Sequence, residues 1–181
     1  MVTVETISIV IAAASVVVAA FSMIQQNREA KRLRQTELFM PIYSRFQEKE
    51  FNKLLMDIMS NWEWEDFDDF MEKYGPETNL EACASFFTVL GFYDVVGVLL
   101  MRKQIDPTLV YNLMPASPVR FWEKMGTIIK EGRKSWWTPR FMPPSEYLAN
   151  EMMKRQQLEA IYPSLPPLSS PHTLFFTGIS I

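Results

Sequence analysis

Residues able to do chemistry are few in this chain of 181 residues. There is one histidine, His172, and one cysteine, Cys83. A nucleophile–base triad or a histidine-ligated metal needs an imidazole held beside its partners, and His172 lies in a proline-rich stretch that offers none. Cys83 falls in a strongly apolar run with no nearby base, which suits an inert core thiol rather than a nucleophile. Asp94, Glu123, Glu131 and Glu146 fall on predicted helices and could converge in a bundle. They lack the Glu-x-x-His pairing by which helical bundles hold two metal ions, so ion pairs with Arg120, Lys124 or Arg133 are their expected use. The six glycines are scattered and build no phosphate-cradling loop. Between residues 61 and 82 eight acids stand against Lys73 alone. Their order does not fit the Asp-x-Asp-x-Asp-Gly pattern of a calcium loop, and a solvated acidic face is expected. The residues thus predict a non-enzymatic protein, with no catalytic, cofactor-binding or metal residues and no cofactor.

The elements that carry these residues begin with an apolar run. No charge interrupts the sequence from Thr6 to Asn27, and the stretch from Ile7 to Ile24 has only Ser8, Ser15 and Ser22 as polar members. At about 1.5 Å per residue this stretch spans roughly 27 Å, close to the hydrocarbon thickness of a bilayer. A helix satisfies its own backbone groups, so the segment can cross lipid. Glu5 is the only side-chain charge before it, whereas Arg28, Lys31, Arg32 and Arg34 follow directly. A cleaved signal peptide would show the reverse pattern. The positive-inside rule then predicts a single-pass protein of the inner (plasma) membrane, with its N-terminus outside and its bulk in the cytoplasm. These four cations are the expected membrane-flanking residues. Ser8 with Ala12 and Ser15 with Ala19 leave homo-oligomerisation through the span open.

Beyond the span, periodicity predicts helices throughout. Phe39, Ile42, Tyr43 and Phe46 share one helical face, although Pro41 should kink or restart the helix there. Phe51, Leu54, Leu55, Ile58 and Met59 mark a second face. Phe67, Phe70, Met71 and Tyr74 mark a third, which Gly75-Pro76 ends. Asn79 is a predicted N-cap for an apolar helix running from Leu80 to Lys103. With Asp94 at its centre, that helix is expected to be the buried middle of the domain rather than a second span, with Val95 and Leu99 inside. Asp106-Pro107 and Ser117-Pro118 open two further helices. The second of these has Phe121, Trp122, Met125, Ile128 and Ile129 inward, and a last helix reaches about Ile161. The expected fold is all-α: a transmembrane anchor (1–27), a compact multi-helix cytoplasmic bundle (28–161) and an extended proline-rich tail (162–181).

Composition narrows the partners. A net charge of −3 argues against nucleic acid. One cysteine allows no disulfide framework within the chain. The twelve methionines and thirteen phenylalanines suit adaptable cores and interfaces. Trp136 and Trp137 are of the type enriched at interface centres. The tail ends in the apolar LFFTGISI, and Phe175, Phe176 and Ile179 with the two tryptophans are the candidate partner-binding residues.

The basic helix leading to ELFMPIYSRF, the stretch FFTVLGFYDVVGVLLMRKQIDPTLVYNLM, and RFWEKMGTIIKEGRKSWW followed by SEYLANEM together resemble a prokaryotic family of unknown function. Its members have one N-terminal membrane helix and a small helical cytoplasmic domain. The resemblance covers residues 38–148 and implies the fold, with no catalytic residues to carry over. The functional expectation is an accessory or scaffold subunit of a larger membrane assembly, held to lipid by the N-terminal helix and meeting a membrane-protein partner. The alternative is a stand-alone regulatory membrane protein that senses lipid or a soluble partner.

Overall fold

The computed structural model describes residues 4–135 and 141–161, with side-chain surroundings from residue 12 on. Those residues form seven α-helices and no strand, so the fold is all-α. The chain divides into two units, residues 1–40 and 41–181. The first belongs to α1, Val4–Gln47, whose last seven residues enter the second. The remaining helices are α2 (Lys49–Ser60), α3 (Phe67–Tyr74), α4 (Leu80–Met101), α5 (Pro107–Leu113), α6 (Ser117–Ser135) and α7 (Pro143–Ile161).

α1 is one helix from the apolar run through the basic segment to Gln47, and it continues through Pro41. Proline has no N–H to give the carbonyl of Glu37, so the helix loses one backbone bond where the two units meet. From Ala12 to Arg34 every residue is exposed. Val16, Val17 and Val18 are 69%, 68% and 64% exposed, and Phe21, Met23 and Ile24 are over half exposed. Consecutive helical residues point about 100° apart, so three exposed valines in a row mean bare apolar surface on most sides of the helix.

The second unit is organised around α4. Cys83, Phe86, Val89, Leu90, Phe92, Tyr93, Val96, Gly97 and Leu100 are buried on it. Full burial of each large apolar side chain contributes on the order of 2 kcal/mol. α7 makes the most extensive packing with α4, and α2 and α3 pack on it as well. Gly97 allows α7 this close: a β-carbon there would stand 2.0 Å from the Pro144 carbonyl oxygen. An aromatic chain links the helices, with Phe51 on Phe92 at 4.7 Å, Phe46 on Phe92 at 5.8 Å and Tyr93 on Phe121 at 5.0 Å between centroids. Asn52 closes the break between α1 and α2 by donating to the carbonyls of Phe46 (2.7 Å) and Glu48 (3.1 Å).

Local sequence sets the helix starts. Asp66, Asn79 and Asp106 each accept a backbone N–H of the first turn of α3, α4 and α5, at 2.9, 3.1 and 2.7 Å. Pro107 occupies the first turn of α5, where its missing N–H costs nothing.

One expectation is corrected here. α4 is not enclosed all round: Val95 is 51% exposed and Leu99 is half-buried, while Leu90 and Val96 are fully buried. The core stripe of α4 is thus one position out of phase with Val95, because α2, α3 and α7 leave one side open. Among the described residues, the helix long and apolar enough to cross a membrane by length and composition is α4, and half of its most apolar window is buried inside the fold. The N-terminal run begins within residues 1–11, whose side chains lie outside the described set.

Candidate interaction surfaces

The four cations expected to flank a membrane, Arg28, Lys31, Arg32 and Arg34, sit on α1 and all are exposed. Arg28, Lys31 and Arg32 cluster within about 100° of the helix circumference, and Arg34 extends the arc on the far side of Lys31. They begin about one turn beyond Ile24 and extend over roughly 9 Å of axis. That is a basic collar directly below an exposed apolar cylinder. Thr36 does not interrupt it, since its hydroxyl donates to the Arg32 carbonyl at 3.1 Å.

The acids of residues 63–81 point outward around an aromatic knot. Trp62 stacks on Tyr74 at 4.1 Å with parallel rings, and Phe70 packs edge-on to Trp64 at 5.3 Å. Phe70 also meets Phe86 of α4 at 5.7 Å. The Trp62 indole donates to Asp57 at 2.9 Å, and Asn61 donates to the same carboxyl at 2.7 Å. These two bonds hold the Asp57 carboxyl below its ordinary range. Lys73 bonds Asp69 at 2.8 Å, which lowers the Asp69 carboxyl and raises the lysine. Alternation of aromatics with acids therefore builds a packed corner with an acidic skin, and among the described residues no acidic, histidine or cysteine group could hold a metal.

Of the four carboxylates set aside as a possible cluster, Asp94 and Glu146 come together around Arg133. The Arg133 guanidinium donates to Glu146 at 2.6 Å and to the carbonyls of Phe141 (2.7 Å) and Met142 (3.1 Å). Lys130 adds a longer contact to Glu146 at 3.6 Å. Asp94 accepts the Ser145 N–H at 3.2 Å. Burial pushes the Asp94 carboxyl up, and the Ser145 N–H and the Arg133 charge oppose that rise. The expected ion pair between Arg133 and one of these carboxylates forms, with Glu146 as the partner. In the fold the Arg133 side chain is only 15% exposed and is turned inward as a clasp. One side chain thus closes the connection between α6 and α7, and Met142 takes a left-handed conformation (φ 51°) beneath it. Nothing local in the sequence marks this role, since it depends on where α7 packs. Glu131 pairs with its own helix through Lys134 at 2.7 Å, and Glu123 is exposed.

Cys83 is buried, and burial raises its thiol above the ordinary range, which makes it a poorer nucleophile. Trp136, Trp137, Phe175, Phe176 and Ile179, the candidate partner-binding residues, lie outside the described residues.

No curated protein and no solved structure matches this chain. A family model described as a domain of unknown function, DUF4760, matches residues 9–152, which takes in most of α1, all of α2 to α6 and half of α7. The chain therefore belongs to the DUF4760 family, a family of unknown function.

Proposed function

We propose that this protein is a non-enzymatic, membrane-anchored helical module that serves as an accessory or scaffold subunit of a larger membrane assembly. The observation that carries the reading is the bare apolar surface of α1 between Ala12 and Ile24, followed at once by Arg28, Lys31, Arg32 and Arg34. Apolar surface on all sides of a helix is costly in water and favourable in lipid. The collar beside it supports the orientation of this reading: N-terminus outside, residues from Arg28 onward in the cytoplasm, inner (plasma) membrane. Lipids are the first partner and a membrane protein the second, with self-association through the small-residue faces of the span as a further contact.

The test is extraction of native membranes in mild detergent and separation by size. A stoichiometric complex containing this chain supports the accessory role. A lone chain shifts the reading to a stand-alone regulatory membrane protein. Recovery in the soluble fraction overturns the anchor.

A second reading has its own observation. α4 is apolar enough to span, and one of its sides is open. If α4 crosses lipid, residues after Met101 lie on the opposite side from residues 49–79, and a reporter inserted at Glu77 and one at Gln104 will respond from opposite sides. The packing of α2, α3 and α7 on α4 favours the same side for both.

A further inference from the structure

The two ends of α4, about 33 Å apart for a helix of this length, carry opposite chemistry. At the Leu80 end stand the exposed carboxylates Glu63, Glu65, Asp68, Glu72, Glu77 and Glu81. At the Met101 end the chain turns through Lys103, which takes a left-handed conformation (φ 55°), into α5. The C-terminal turns of α7 reach this same end: the Tyr111 hydroxyl donates to Glu159, and Gln156 donates to the Pro115 carbonyl at 2.9 Å.

Three cations, Arg102, Lys103 and Lys154, are exposed here, and none has an ion-pair partner among the described residues. The acids at this end are engaged by groups of the domain itself. Asp106 caps α5 through the Thr108 N–H, Glu151 lies 3.6 Å from Arg155, and Glu159 takes the Tyr111 hydroxyl. Exposed apolar side chains accompany the three cations, Met101 at 50%, Leu158 at 50% and Ile161 at 65%. Lys154, Leu158 and Ile161 follow at i, i+4 and i+7, one stripe of α7.

We propose that this end of the domain docks on an anionic lipid surface. Unpaired cations on the same end as flexible aliphatic side chains match the charged headgroups and the acyl boundary beneath them, as in interfacial helices. The acids at the other end of α4 are repelled by the same surface, so the domain has one preferred end toward it. The proposal rests on the membrane reading above only in that the anchor keeps a bilayer close by.

The test uses the full chain in nanodiscs of neutral phosphatidylcholine, with or without anionic phosphatidylglycerol. An environment-sensitive fluorophore is placed at Gln104→Cys, or at Asp68→Cys as the opposite-end control, in a Cys83→Ala background. Quenching by headgroup-level nitroxide lipid is expected at position 104 in anionic discs, weakening with salt, and not at position 68. Each cation near the surface is worth about fivefold, so R102E/K103E/K154E should lower the docked-to-undocked ratio by roughly two orders of magnitude. All three positions are exposed, so the thermal transition of the domain should persist and confirm folding. Equal quenching in neutral and anionic discs, or none at position 104, overturns the proposal. So does a triple variant that loses a co-purifying protein yet responds to lipid like the parent. Should the chain fail to enter nanodiscs, the anchor has failed, and the same labelled chain is mixed with free vesicles of both compositions. Charge-selective binding there still supports the lipid surface, and no binding overturns it.

Discussion

α1 and α4 are both long, apolar helices rich in β-branched and small residues, yet the chain treats them differently. On α4, Leu90 and Val96 are fully buried under the side chains of neighbouring helices. On α1, Val16 to Val18 and Phe21 to Ile24 have no cover of that kind. Hydropathy by itself ranks such segments together. What separates them is the supply of partner surface. α2, α3 and α7 bring apolar residues that need burial, and α4 gives them a site, whereas the exposed apolar residues of α1 have no such faces packed on them. The difference also shows in the charges: Asp94 in α4 has a backbone donor and a nearby arginine, while the apolar run of α1 contains no ionisable group at all.

The largest way to break this comparison is Leu90→Asp. An unpaired carboxylate at a fully buried position should cost at least about 4 kcal/mol and abolish the cooperative thermal transition seen by circular dichroism. Val95→Asp, on the open side, should cost less than about 1 kcal/mol and leave that transition in place. Equal losses at the two positions would mean that α4 is enclosed after all, by lipid or by another chain.

On α1, Val17→Asp should raise the cost of membrane insertion by about 3 kcal/mol and shift the protein from the carbonate-resistant pellet to the supernatant. The thermal transition of the helical domain should not move. A protein that stays in the pellet but loses its transition would reverse the roles assigned to the two helices.

Two glycines of α4 sharpen the picture at smaller scale. Gly97→Ala puts a β-carbon into the Pro144 backbone and should destabilise by about 1–3 kcal/mol. Gly91→Ala meets nothing within 4 Å, so the helix-propensity gain of alanine should stabilise by up to about 1 kcal/mol. Urea titration of both variants reads the contrast, and a destabilised Gly91→Ala would show that something packs on the open side.

The smallest effect concerns Asp94. Its carboxyl is raised in the folded state, mainly by burial. A folded value above the unfolded one means that the ionised group detracts from stability at neutral pH, and that this loss is relieved as the pH falls through the folded value toward the unfolded one. Asp94→Asn keeps an acceptor for the Ser145 N–H and should match or slightly exceed the parent in melting temperature at pH 7. The difference should shrink toward zero as the pH falls through the carboxylate range. A variant markedly less stable at pH 7 would show that the Arg133 charge outweighs burial.

Much of this was legible from local residues, because local interactions decide it. Asn79 and Asp106 start helices by bonds within one turn, and Gly75-Pro76 ends one. Apolar spacing at i, i+3 and i+4 identified Phe70, Phe121, Met125 and Ile128 as inward residues, and all are buried. The all-α class followed from the same patterns, and the family of unknown function from the resemblance carried by stretches of residues 38–148. Three features needed the tertiary structure. α1 passes through Pro41 without a break, since a helix can lose a single bond while its remaining turns stay intact. The phase of α4 shifted by one residue, with Val96 inside and Val95 outside, because an almost uniformly apolar helix has no periodicity from which to read its buried side. Arg133 became a clasp because the carbonyls of Phe141 and Met142, just before α7, and the carboxylate of Glu146, in its first turn, arrive beside it, and no spacing within α6 encodes where α7 will lie. Sequence determined which segments are helical and which residues seek burial; packing between distant segments decided which of those residues found it, since such contacts depend on all the neighbours at once.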